Sequence, residues 1–146
     1  MRKLHKIEPM HIKPKDTQEL FWDMKLDCIP AEDDLYVGKG ATYSPYQSYF
    51  PYTVVEITGE LGNRIAKLRD CNYDGNDFYD LPDPQPQEWD RNDGFLYIKE
   101  KDISFKRLSG ITYDNTYVKN RKTNRLRKNG GYVKVGYRCR HTPLEL

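Results

Sequence analysis

Val37-Gly38-Lys39-Gly40-Ala41-Thr42-Tyr43, then Pro51-Tyr52-Thr53-Val54-Val55-Glu56-Ile57, then Arg64-Ile65-Ala66-Lys67-Leu68-Arg69-Asp70 are the runs that decide the fold of this chain. The second and third are joined by Gly62-Asn63. β-Branched and aromatic residues fit a pleated, half-buried surface. A Gly-Asn pair supplies the positive-φ positions of a tight turn. Three consecutive strands are therefore predicted, the start of a small β-barrel or strongly twisted sheet. In the third, Ala66 and Leu68 face inward and Lys67 and Arg69 outward, because side chains alternate along a strand. Gly38 and Gly40 permit a bulge or a close backbone approach in the first.

Working outward, the composition agrees. The chain has 146 residues, 37% apolar and 32% charged, with 12 Tyr, 5 Phe and 2 Trp. That length suits one domain, and the low apolar fraction makes Tyr part of a modest core. Ten Gly and nine Pro mark many turns. The expected fold is mainly β: an SH3-like barrel or twisted antiparallel sheet over residues 35–142, preceded by an N-terminal extension, residues 1–34. No apolar run approaches the roughly 18 residues of a membrane span. No apolar stretch follows the charged N-terminus, so no signal peptide is expected. Cys28, Cys71 and Cys139 are widely spaced, and free thiols in a reducing cytosol are the expectation.

Residues 1–15 read as an extended or mobile arm. Leu20, Trp22, Met24, Leu26 and Cys28 alternate with Phe21, Asp23, Lys25 and Asp27, which fits a strand. A short helix opened by an Asp16–Glu19 capping box competes with it. Residues 44–50 form a polar aromatic loop. Residues 70–93 hold eight acids against Arg91, with Pro82, Pro84 and Pro86, and read as a long acidic surface loop up to residue 94. Strand character resumes at 95–98 and 103–105. Arg125-Leu126-Arg127-Lys128, Asn129-Gly130 and 131–137 read as a closing hairpin, since Asn-Gly between strand-like runs is a strong hairpin signal.

Three constellations invite chemistry. Asp70-x-Asn72-x-Asp74-Gly75-x-Asp77 has the oxygen spacing of a calcium loop, with Gly sixth. Its twelfth position is Leu81, and its flanks do not read as helices. A solvated turn, in which Asx side chains cap their own backbone, is the favoured reading.

The basic end is the second. Residues 115–146 carry nine Lys or Arg against Glu145 alone. Arg121, Lys122, Arg125, Arg127, Lys128 and Tyr132 are the candidate nucleic-acid contacts, with bases neutralising phosphates and Tyr stacking nucleobases. A solubilising surface, or an internal partner for the acidic loop, competes with that reading. The third is the 44–50 loop, where Tyr46, Tyr49 and Phe50 are candidate anchors for a protein partner. His5, His11 and His141 lie at no metal-ligand spacing. There is no Walker loop, GxSxG or HExxH. No catalytic residue, metal or cofactor is expected.

Val37-Gly38-x-Gly40-Ala41-Thr42, Pro51-Tyr52-Thr53-Val54-Val55-Glu56, Arg69-Asp70, Arg127-Lys128-Asn129-Gly130 and Gly136-Tyr137-Arg138 stand in an order that resembles a family of short uncharacterised bacteriophage and prophage proteins. The resemblance spans residues 35–141. It implies a phage-encoded protein with an SH3-like fold, found in the cytoplasm of an infected bacterium or in a virion. It brings no assigned activity. The first 34 residues and the close at Arg138-Cys139-Arg140-His141-Thr142-Pro143 depart from the pattern. The expected function is non-enzymatic binding of nucleic acid through the basic hairpin, or of a host or virion protein.

Overall fold

β2 (Gly40–Ser44), β3 (Phe50–Thr58) and β4 (Ile65–Tyr73) are consecutive antiparallel neighbours, as their sequence implies. They belong to a computed structural model that describes residues 5–7, 35–107 and 110–141. The alternating segment 20–28, with its strand and helix readings, lies outside the described residues, as do His11 and the close at 142–143. The protein is mainly β. Among the described residues eleven strands form one antiparallel sheet, curled into a half-barrel.

The remaining strands are β1 (His5–Lys6), β5 (Phe78–Asp80), β6 (Leu96–Lys99), β7 (Ile103–Arg107), β8 (Gly110–Tyr113), β9 (Tyr117–Lys119), β10 (Leu126–Lys128) and β11 (Tyr132–Val135). Their order is β10-β9-β6-β4-β3-β2-β11-β8-β7. β4 has two partners along one edge: β6 beside Ile65–Leu68, and β5 beside Cys71–Tyr73. The β1 residues of the expected arm pair with β5, His5 opposite Asp80 and Lys6 opposite Tyr79.

The concave side holds the core: Leu35, Ala41, Val54, Ala66, Leu68, Leu96, Ile98, Ile111, Tyr113, Val133 and Val135. In β3 an extra residue at Val55 shifts the register between Val54 and Glu56. Ahead of that bulge, Pro51 and Thr53 are buried on the convex side; past it, Glu56 and Thr58 are exposed. The difference is a C-terminal strap. Gly136 N–H donates to Gly40 O (2.8 Å), Thr42 Oγ1 to Tyr137 O (2.8 Å), and His141 and Tyr49 exchange backbone bonds. Arg138, fully buried beneath it, donates from Nη2 to Thr53 Oγ1 (3.1 Å). Of the two roles open to Gly40, close approach is the one realised: a Cβ there would lie 3.0 Å from Arg138 Cγ.

The closing hairpin expected at 125–137 does not form. β10 pairs with β9, whereas β11 inserts between β2 and β8. Asn129-Gly130 instead crosses between the two halves of the half-barrel. Asn129 N–H donates to Thr116 O (2.8 Å), Gly130 N–H to Asn115 Oδ1 (3.1 Å), and Thr116 Oγ1 to Gly130 O. The residues satisfy a tight turn locally, but these partners in the β8–β9 connection claim their amides and carbonyl.

The acidic stretch is also less loop-like than expected, since β4 runs on to Tyr73 and Phe78–Asp80 forms β5. Between them Asp74 Oδ1 accepts the N–H groups of Asn76 and Asp77, both at 2.8 Å. The carboxylate caps its own turn, the arrangement favoured over a calcium loop. Those bonds hold the Asp74 carboxyl below its ordinary range.

Candidate nucleic-acid interface

Register builds the convex face of β4, β6, β9 and β10. Lys67 lies opposite Tyr97, Tyr97 opposite Tyr117, and Tyr117 opposite Lys128. This row faces away from Ala66, Leu68, Leu96 and Ile98, which occupy the core. Lys99 and Lys119 flank it, two residues along from each Tyr.

Both tyrosines are nonetheless covered, at 3% and 5% exposure. Lys99 Nζ stands 4.3 Å over the Tyr117 ring and Lys119 Nζ 4.9 Å over that of Tyr97; Lys67 Nζ is 4.0 Å over Phe95. Long lysine stems shield apolar area while the ammonium stays near water. The hydroxyls are anchored too, Tyr97 to Asp93 and Tyr117 to Asp102 (2.7 Å). Burial, and next these carboxylates, push both phenols upward.

Past Lys119 the strip continues in a tight turn. Asn120 Oδ1 accepts the N–H groups of Lys122 (2.8 Å) and Thr123 (2.9 Å), and Asn120 N–H donates to Arg125 O (2.9 Å). Lys122, Arg125, Arg127 and Lys128 are exposed, and none has an acidic partner among the described residues. The structure brings these four sequence candidates to the β9–β10 turn and the edge strand β10, where Lys128, opposite Tyr117, shares the convex row and Arg127, opposite Val118, faces the other side of the sheet edge.

Arg121 has a different post. Its Nη1 donates to Gln87 O (2.7 Å) and Asp90 O (3.0 Å), and its N–H to Arg91 O (2.8 Å). It clamps the proline-rich acidic segment onto β9, close to the internal pairing weighed from charge alone. Tyr132 is also elsewhere. It sits on β11 opposite Ser44, near Tyr49 and with its ring 5.7 Å from Lys134 Nζ. It thus belongs with the 44–50 loop.

In that loop Tyr46 is 85% exposed. Tyr49 and Phe50 are taken up internally, Tyr49 against His141 (rings 6.2 Å apart) and Phe50 against Arg140 (5.4 Å). Between β4 and the proline-rich segment lies an open cleft of about 480 Å³ lined in part by Arg69, Pro84, Asp90 and Arg91. Arg69 is neutralised there by Asp83 (2.9 Å) and Asp80 (3.6 Å). Among the described residues no group of three or more His, Cys, Asp or Glu could hold a metal, and no helix is long and apolar enough to cross a membrane.

Sequence reasoning passed over Lys67, Lys99 and Trp89, and left Lys119 outside the site. The lysines follow strand alternation, a visible signal; what aligns them is cross-strand register, which sequence does not display. No family model matches this chain, nor does any curated protein or solved structure.

Proposed function

We propose that the protein binds nucleic acid through the phosphate backbone, along the sheet edge formed by β9, β10 and their turn. The observation that carries this reading is that Lys122, Arg125, Arg127 and Lys128 are exposed together, with no acidic partner among the described residues. Lys67, Lys99 and Lys119 extend the positive field across three strands. Such a field attracts polyanions irrespective of sequence. Tyr132 is left out of the contact set. The resemblance to short phage proteins implies an infected bacterial cytoplasm or a virion as the setting.

The test is fluorescence anisotropy of DNA and RNA oligonucleotides over a salt series. With about four phosphates neutralised, log affinity falls with log salt at a slope of about −3 on single strands. An Arg125→Glu/Arg127→Glu/Lys128→Glu variant loses binding. Charges on an edge strand also prevent stray strand pairing. Glutamates do that equally well, so a variant that stays monomeric yet no longer binds separates the two roles. Absence of binding by the unaltered protein at low salt removes the reading.

Exposed Tyr46 favours a second one, a protein-interaction loop. A partner captured after nuclease treatment and lost on Tyr46→Ala would support it. Tyr49→Ala and Phe50→Ala would then act by loosening the strap.

A further inference from the structure

We infer that Trp89 is the base-stacking residue of this surface and that the surface takes single-stranded rather than duplex nucleic acid. The inference rests on the phosphate-binding reading above. Exposed phosphate-binding bases alone do not distinguish strands from duplexes, whereas an open aromatic face does, because only unpaired bases present their π-faces. On the strip itself no such face is open: Tyr97 and Tyr117 lie under Lys119 and Lys99. Trp89 is 78% exposed, in a segment bonded to the turn that continues the strip.

Its position is built. Gln87 N–H donates to Asp90 Oδ2 (2.7 Å), and Asp90 N–H returns to Gln87 O (3.0 Å), closing a turn with Trp89 near its tip. Arg121 then grips both carbonyls of that turn. An Asn92–Asn120 bridge and a bond from Asp93 N–H to Lys119 O (3.0 Å) fix the segment to the turn carrying Lys122 and Arg125. The backbone that carries Trp89 is therefore fixed next to the turn bearing the phosphate-binding cations before any ligand arrives, which lowers the ordering cost of binding. A large exposed aromatic on a mobile loop would lack that advantage.

The acids nearby are accounted for. Asp90 is engaged by the Gln87 amide, and Asp83 pairs with Arg69. Glu88 is exposed beside Trp89 and opposes a phosphate there, so Glu88→Gln should tighten binding.

The experiment uses the full chain carrying Trp22→Phe, which leaves Trp89 as its one tryptophan. The probes are a short poly-thymidine strand and a matched duplex. The expected result is quenching of Trp89 emission by the single strand. Trp89→Ala should weaken single-strand binding about 5- to 100-fold, Trp89→Phe should restore part of it, and duplex binding should not change. If single strands bind in a charge-dependent manner but Trp89 emission stays constant and Trp89→Ala binds equally well, the stacking role is wrong and the phosphate reading stands. Equal losses on duplex and single strand would overturn the strand preference. If neither probe binds, both readings fall.

Discussion

Arg138 packs flat on Gly40. A methyl group at residue 40 would stand 3.0 Å from Cγ, 3.1 Å from Nη1 and 3.2 Å from Cζ of the guanidinium arm. Arg138 is 1% exposed and cannot swing aside. Overpacking a filled site costs about 1–3 kcal/mol. Gly40→Ala should therefore lower the urea midpoint by that order. In an Arg138→Met background the same substitution should cost less, and a double-mutant cycle reads the difference. Equal costs in both backgrounds would mean that the strap, not Arg138, crowds residue 40.

Glu100 gives a defined acid response. Its Oε1 accepts the N–H groups of Gly62 (2.8 Å) and Arg64 (3.1 Å) and Arg64 Nε (2.9 Å), and Oε2 accepts Arg64 Nη2 (2.6 Å). These bonds, Arg64 foremost, hold its carboxyl at about 2, against an ordinary 4.5. A depressed folded-state value means that the stabilisation is present above pH 4.5 and fades as pH falls toward 2. Glu100→Gln should cost about 1–3 kcal/mol at neutral pH. The gap from wild type should close between pH 4.5 and 2 in denaturant titrations, and a gap independent of pH would contradict the assignment.

Cys71 should be slow to react. It is buried, its Sγ lies 3.0 Å from Thr53 Oγ1, and burial pushes its thiol up to about 12 from 9.0. Thiolate is the reactive form. In a Cys28→Ser/Cys139→Ser chain, disulfide reagents at pH 8 should label Cys71 only at the rate of unfolding. The raised value also predicts that stability declines as pH climbs above 9, where the unfolded thiol ionises first. Rapid labelling of the native chain would show that the structure around Cys71 opens locally.

β10 is a three-residue edge strand with two exposed cations, Arg127 and Lys128. Replacing both by Val removes the charges that discourage strand pairing at an open edge. Concentration-dependent association in analytical ultracentrifugation is expected. A variant that stays monomeric would mean that the edge is protected by other means.

The central unit was legible because its signals were local. Alternation in β4, the β-branched run of β3 and the positive φ of Gly62 (95°) in the connecting turn each act within a few residues, although Asn63 does not share that conformation. Asp74 was legible for the same reason, its carboxylate reaching amides two and three residues ahead. Asn129-Gly130 misled because its turn chemistry is real while its partners, Asn115 and Thr116, come from another connection. Tyr132 followed that error, since its neighbours depend on which strand β11 joins. Charge counting identified Lys122, Arg125, Arg127 and Lys128 as a group. It could not separate Arg121 from them, because a bond to two backbone carbonyls leaves no mark in composition. Trp89 stood inside a segment read only for its acids and prolines.

β11, the last strand of the sheet in chain order among the described residues, stands in its interior between β2 and β8. On a ribosome, everything up to Gly131 emerges before the strand that joins the two sides. The nascent chain must wait with the edges of β2 and β8 unpaired, and such edges are templates for intermolecular pairing. Completion of the fold is thus tied to the emergence of Tyr132–Val135. Chains that stop before Tyr132 should yield insoluble product rather than a smaller folded protein.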